Sequence, residues 1–188
     1  MDNPAGRGCA GGSISNLCVV DSGDCCLHLQ GGTWRLHTVR LRCAHGSALK
    51  VSNSARAHLE KCTLGGEARG EFAATLTRAC FGLIARDEAT VSAEGCSLVR
   101  CSEAALLLAN GARVSLMACS VSDCPAAFLA GKGRGRALEI KDGCQLGAQR
   151  LWADTDRPRV VHWGEAGPDE SRADEPLFAA IADLIAAE

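Results

Sequence analysis

The sequence contains no tyrosine, and with four Phe and three Trp its aromatic content is only 4%. That scarcity argues against a recognition surface built on rigid aromatic anchors and against a glycan groove floored by aromatic platforms. An excess of charge of one sign is also missing. Twenty basic and 22 acidic residues leave a net charge of −2, which gives nucleic acid or anionic lipid nothing to be drawn to. No run of residues approaches the roughly 20 apolar positions that a membrane-spanning helix needs. Residues Met1 to Gly8 lack the apolar stretch of a secretory leader, so the expectation is a cytoplasmic chain. Glycine and cysteine are plentiful, with 21 and 12 copies in 188 residues. At 47% apolar and 22% charged, the composition is that of one folded domain rather than a disordered chain.

The cysteines expose an internal repeat. Cys96 and Cys119 lie 23 residues apart, and so do Cys101 and Cys124. Val91-Ser92-Ala93-Glu94-Gly95-Cys96-Ser97-Leu98 aligns with Val114-Ser115-Leu116-Met117-Ala118-Cys119-Ser120-Val121. The same spacing recurs from Trp34 to Leu41 and from Ala57 to Leu64. It returns with an inserted residue in Leu138, Ile140, Cys144 and Leu146, and more faintly at Ile14, Leu17 and Val19. Each copy holds two apolar residues two apart, then a second such pair three residues on. A third apolar region opens eight residues later, at Leu49 after Leu41, Leu106 after Leu98 and Leu129 after Val121.

Period-two alternation marks short strands with one buried face, and the breaks in phase mark corners. Gly31, Gly32, Asn53, Asn110, Gly111 and Gly143 fall at or near those corners. Three short strands and three corners in about 23 residues describe one rung of a parallel β-solenoid, since helical repeats need a longer period. A single rung can neither bury its apolar side nor pair its backbone. Stacking at about 4.8 Å does both and lines equivalent side chains into ladders. The predicted ladders are Trp34/Ala57/Val91/Val114/Leu138, Leu36/Leu59/Ala93/Leu116/Ile140, Val39/Cys62/Cys96/Cys119/Cys144, Leu41/Leu64/Leu98/Val121/Leu146 and Leu27/Leu49/Leu83/Leu106.

From Gly11 to Trp163 the chain resembles the right-handed parallel β-helix (pectate-lyase-like) superfamily. Its short, cysteine-rich rungs are most similar to the non-catalytic β-helix domains of eukaryotic F-box and Shc-binding spindle-associated proteins. The resemblance implies an all-β, single-stranded right-handed parallel β-helix of about five to six rungs. It also implies a part in protein assemblies, cytoskeletal or ciliary, rather than action on polysaccharide.

Two departures from the period draw attention. Leu64 and Leu83 are 19 residues apart where other rungs use eight, so one corner carries about 11 extra residues, including Glu67, Arg69, Glu71 and Phe72. Inserted loops on a solenoid commonly make the specific contacts, because rungs are generic. The other reading is a tolerated excursion or an extra half-rung. A smaller insertion, Gly131-Lys132-Gly133-Arg134-Gly135-Arg136, is basic, lacks the ending of a phosphate-binding loop, and reads as a solvated corner.

Residues 1–10 read as an extension, 11–163 as the solenoid and 164–173 as a linker. Asp174-Glu175-Pro176 then opens an amphipathic α-helix over 174–188, with Leu177, Phe178, Ile181, Leu184 and Ile185 on one face. That face either folds back as a cap on an open end of the stack or docks on a partner.

The cysteines pose a choice between disulfide, metal and packing. Cys62, Cys96, Cys119 and Cys144 occupy a ladder begun by Val39, where a thiol serves as a small hydrophobe. Stacked side chains point the same way, which is poor bridging geometry. Packing is therefore expected, with no cofactor. A zinc site among Cys18, Cys25, Cys26, His28, Cys43 and His45 is the metal alternative, weakened by the lack of any Cys-x-x-Cys pair.

For an enzyme, the best acid/base candidates are Glu60 and Glu94, which would stack as adjacent carboxylates on an outer strand face. They lack the clustered Asp residues and the Gly-His-Gly and Arg-Ile-Lys sequences of the polysaccharide-cleaving relatives. The expectation is a non-catalytic scaffold or adaptor that binds other proteins through Glu67, Arg69, Phe72 and the Leu177-to-Ile185 face, without nucleic acid or membrane. A carbohydrate-active or glycan-binding β-helix and a Cys/His metal protein are the alternatives.

Overall fold

The computed structural model describes residues 11–21, 24–43, 46–66, 79–152 and 159–163. They form strands β1–β19, numbered along the chain and sorted into three parallel sheets. Sheet A contains β1 (Gly11–Ser15), β4 (Thr33–His37), β7 (Arg56–Glu60), β10 (Thr90–Glu94), β13 (Arg113–Met117), β16 (Ala137–Lys141) and β19 (Arg159–Trp163). Sheet B contains β2 (Cys18–Asp21), β5 (Arg40–Cys43), β8 (Thr63–Gly65), β11 (Ser97–Val99), β14 (Ser120–Ser122) and β17 (Gln145–Gly147). Sheet C contains β3 (Cys25–Gln30), β6 (Ser47–Ser52), β9 (Ala79–Ala85), β12 (Cys101–Leu108), β15 (Ala126–Ala130) and β18 (Arg150–Trp152). Every third strand pairs with the last, so the chain is a parallel β-solenoid. The described residues contain no helix. The expected helix at 174–188 and the loop residues 67–78 lie outside them.

Strand register reproduces the strand ladders read from the spacing. Trp34, Ala57, Val91, Val114 and Leu138 pair successively, as do Leu36, Leu59, Ala93, Leu116 and Ile140. On sheet B, Val19 joins Leu41, Leu64, Leu98, Val121 and Leu146. All these side chains face one continuous core. One expectation fails. The sheet C ladder runs Leu27, Leu49, Leu83, Leu106 and then Phe128, not Leu129, which pairs instead with outward-facing Leu107. The rung itself is shorter there: seven residues separate Val121 from Phe128 where eight separate Leu98 from Leu106, so β15 enters sheet C one residue sooner. A bulge in β12, which holds one residue more than β9 between Cys101 and Ala104, is a separate irregularity.

Strict alternation also fails where sheets B and C meet. Ala48 and Leu49, Ala105 and Leu106, and Ala127 and Phe128 are consecutive, yet all are buried. The small member of each pair lies in a narrow corner; a Cβ added at the equivalent Gly82 would meet the Ala105 carbonyl at 3.0 Å and that of Leu64 at 3.3 Å. Only very small side chains fit a corner this tight.

The corner ahead of the cysteine ladder has one backbone solution in every rung. Asn16, Thr38, Lys61, Gly95, Ala118 and Gly143 all have positive φ, between 49° and 77°. Gly and Asn tolerate this conformation, whereas Thr, Lys and Ala are strained there by about 1 kcal/mol or more. The stack holds them in place through backbone bonds: Thr38 N–H donates to the Glu60 carbonyl at 2.9 Å, Lys61 to Glu94 at 3.0 Å and Ala118 to Asp142 at 3.0 Å.

Among the described residues Phe81 lies mid-stack in β9, while the other aromatics in the core sit toward its ends. Near the first rung Trp34 is half-buried, its indole N–H donates to the Gly31 carbonyl at 2.8 Å, and Gly12 beneath it leaves room for the ring. Near the other end Trp152 stacks on buried Phe128, with ring centroids 5.3 Å apart. Leu106, wholly buried mid-stack, has no space to collapse into. Leu106→Ala should therefore lower unfolding stability by about 3 kcal/mol, read from equilibrium urea denaturation; a loss under about 1 kcal/mol would contradict a tightly packed interior.

Candidate functional site

Parallel pairing arranges the outer residues of sheet A in columns. One reads Arg35, His58, Ser92, Ser115, Glu139 and the next His37, Glu60, Glu94, Met117. Glu60 and Glu94 are therefore in-register neighbours, as the spacing predicted. Glu60 is half exposed and lies between the Lys61 ammonium, with Nζ at 3.2 Å, and the His37 ring, with Nε2 at 3.6 Å. A carboxylate held this way, open to water, belongs to a surface ion network. Beside it lies a shallow groove of about 340 Å³, lined by Thr90, Ser92, Arg113, Ser115, Ala137 and Glu139. It exists because small side chains interrupt the longer residues of the columns. Its carboxylate, Glu139, is engaged by Lys141 at 3.5 Å.

Inside the stack, Cys62, Cys96 and Cys119 are each only 1% exposed and occupy the first corner in three successive rungs. Cys96 hydrogen-bonds to the thiols on either side. Those contacts, with burial added, push Cys96 far up, so this thiol stays protonated. Hydrogen bonding from Cys96 pulls Cys62 and Cys119 down to about 7 against the opposing effect of burial. Their protons also reach backbone carbonyls: Cys62 Sγ lies 3.4 Å from Glu60 O, and Cys119 Sγ 3.3 Å from Met117 O. Cys101 and Cys124 form a second buried stack, where the Cys101 N–H donates to Cys124 Sγ at 3.4 Å. Cys62, Cys96 and Cys119 are thiols and not disulfides.

The early Cys/His group does not converge. Cys26 donates to the Arg42 carbonyl at 2.9 Å, Cys25 to that of Leu27 at 3.0 Å, Cys18 is exposed and Cys43 is buried; His45 is outside the described residues. Among the described residues, no three His, Cys, Asp or Glu side chains gather as a metal site. The basic corner is solvated at Arg134, but Arg136 turns inward, is buried, and donates to the Gly131 carbonyl of its own loop.

One polar group was missed by sequence reasoning. On the outer face of sheet C, His28 pairs in register with Lys50, and Gln30 with Ser52. His28 Nε2 meets Ser52 Oγ at 2.8 Å, with Ser52 only 1% exposed, and the Gln30 amide reaches the ring at 3.4 Å. No carboxylate among the described residues orients that ring, so the pair lacks the acid of a hydrolytic triad. Burial, then the charges of Lys50 and Arg86, hold His28 below its ordinary 6.5. The available signal was that His28 and Lys50 flank the inward Leu27/Leu49 ladder at equivalent positions.

Glu67, Arg69, Phe72, Leu177, Phe178, Ile181, Leu184 and Ile185, the expected partner contacts, all lie outside the described residues. Comparison with protein-family models, curated proteins and solved structures finds no match. The solenoid is therefore established by the register of its own strands.

Two measurements check this site. In native buffer at neutral pH, iodoacetamide should label Cys18 while Cys96 is labelled only after denaturation; early labelling of Cys96 would mean that the rungs open. By NMR, His28 should titrate below 6.5, and Lys50→Gln should move its midpoint upward. The folded chain binds that proton less readily than the unfolded chain. The stability it contributes is thus present above pH 6.5 and lost as pH falls through the midpoint. A midpoint unchanged in Lys50→Gln would remove Lys50 from the group.

Proposed function

We propose that this chain is a non-catalytic scaffold or adaptor, a rigid rod that presents irregular segments to other proteins in a larger assembly. The observation that carries this reading is the contrast between body and excursion. Five successive rungs keep their register through one core, while a single corner, between Gly65 and Cys80, breaks the period by about 11 residues. A stack whose residues are committed to packing offers shape and stiffness, and specificity then belongs to what leaves it. Glu67, Arg69 and Phe72 on that excursion supply an acid, a base and an aromatic residue in a chain otherwise poor in aromatics. The 174–188 segment is the second element able to meet a partner. A right-handed coil and a place in a cytoskeletal or ciliary assembly, in the cytoplasm, follow from the resemblance to eukaryotic β-helix domains.

The groove on sheet A favours one other reading. Its lining sets Thr90, Ser92 and Ser115 among Val91, Val114 and Leu138, a shallow and mainly apolar strip with Arg113 and Glu139 at hand, and a glycan-binding β-helix is the alternative reading of it.

Affinity purification of the full chain beside its Arg69→Glu/Phe72→Ala variant tests the scaffold reading. The expected result is a defined set of copurifying proteins that falls at least severalfold in the variant, with the variant's circular dichroism unchanged. Cleavage of an anionic polysaccharide by the purified chain, abolished by Glu60→Gln or Glu94→Gln, would overturn it.

A further inference from the structure

The polar outer side of sheet A is not uniform. Two adjacent columns cross β4, β7, β10 and β13, one reading Thr33, Arg56, Thr90, Arg113 and the other Arg35, His58, Ser92, Ser115. Seven of these eight side chains are exposed and Ser115 is half-buried. Four are basic, four carry hydroxyls and none is acidic, in a chain whose net charge is −2. The acids of this face stand elsewhere. Glu60 and Glu94 are in the third column, and Glu139 lies one rung past Ser115, engaged by Lys141 at 3.5 Å. Among the described residues, no carboxylate is ion-paired with Arg35, Arg56, His58 or Arg113. The outer column of sheet C differs, turning from basic His28 and Lys50 to aliphatic Ile84, Leu107 and Leu129.

Arg56 and Arg113 both neighbour Thr90, about 9.6 Å apart across two strand spacings, and Arg35 is in register with His58. Cationic residues on facing strands repel, so the cluster costs stability unless an anion occupies it.

We infer that this grid binds a phosphoryl group carried by a serine or threonine of another protein. An oxyanion over Thr90 lies one strand spacing, about 4.8 Å, from the backbone of each arginine, and the two guanidiniums can close on it from opposite sides. A guanidinium presents paired N–H donors that match two phosphate oxygens, and Thr90, Ser92 and Ser115 add hydroxyl donors beneath. A phosphate monoester brings about −1.5 to −2 charge and three terminal oxygens, enough for both arginines at once. A carboxylate brings one charge and two oxygens. Nucleic acid is a poorer match, because single-strand sites add aromatic stacking platforms to their basic residues and the grid holds no Phe, Tyr or Trp.

The cavity beside the grid points to a protein as the carrier. It measures about 340 Å³, shares Thr90, Ser92, Arg113 and Ser115 with the grid, and is lined further by apolar Val91, Val114 and Leu138. A phosphorylated residue over Thr90 would set a chain neighbour along that apolar strip, which free phosphate cannot use. The site is built on rungs held by the core rather than on the 67–78 excursion, so it goes beyond the scaffold reading and does not rest on it.

The test uses the full chain and a fluorescent peptide, Gly-Ala-phosphoserine-Val-Gly, blocked at both ends, beside its unphosphorylated twin. Fluorescence anisotropy should show binding of the phosphorylated form alone, and the backbone amide resonances of Thr90, Ser92 and Arg113 should shift during the titration. Arg56→Gln combined with Arg113→Gln should weaken binding about tenfold or more, with circular dichroism unchanged. Arg40→Gln, at an exposed arginine on sheet B, should leave binding as it was. So should Arg69→Glu/Phe72→Ala, which separates this site from the scaffold reading. Equal binding of the twin, undiminished binding by the double variant, or an equal loss in Arg40→Gln would overturn the proposal. Inorganic phosphate or a sulfated polysaccharide that binds the grid more tightly than the peptide would overturn it too, because the ligand would then be a free ion or a glycan.

Discussion

In-register parallel stacking of backbone is the constraint on which the rest of this molecule depends. Each strand takes its hydrogen bonds from equivalent residues above and below, so a residue's position in its rung decides whether its side chain faces core, corner or solvent. A one-residue slip in any rung would turn a whole inward set outward. The chain absorbs its irregularities where slip is harmless. The bulge in β12 closes within four residues, and Leu106 returns to the ladder opposite Leu83.

The same constraint accounts for the cysteines. An interior corner that repeats at the strand spacing of about 4.8 Å admits only a compact, weakly polar side chain, and the thiols there also reach nearby carbonyls. Hydrogen bonding along the stack of three thiols drives Cys96 up and its neighbours down. That coupling is a by-product of stacking identical residues in a buried place, where Cys62, Cys96 and Cys119 are closed off from solvent. On the outer faces the same periodicity makes columns, and their composition separates the sheets. Sheet A is polar and ion-paired, whereas sheet C changes from basic to aliphatic along the stack.

Periodicity made the strand ladders legible from the sequence, because a buried position repeats at a fixed interval and its residue type is constrained. The corners were only half legible. Gly143 and Asn110 suit a left-handed backbone by their own chemistry, but Thr38, Lys61 and Ala118 take it because the rungs around them leave no other path. The acid pair was legible as a neighbourhood and not as an environment. Spacing brings Glu60 beside Glu94, yet the His37 and Lys61 contacts depend on side-chain directions that no spacing encodes.

By itself, then, the sequence determined the solenoid, its strand ladders and the burial of Cys62, Cys96 and Cys119, since each follows from repetition acting on the hydrophobic effect. Only the tertiary structure decided that Phe128 and not Leu129 lines the core, that small residues crowd the sheet B–C corner, and that His28, Ser52 and Lys50 share one outer face. Those outcomes turn on single-residue register and on which two sheets meet. Both are settled by packing among residues far apart in the chain.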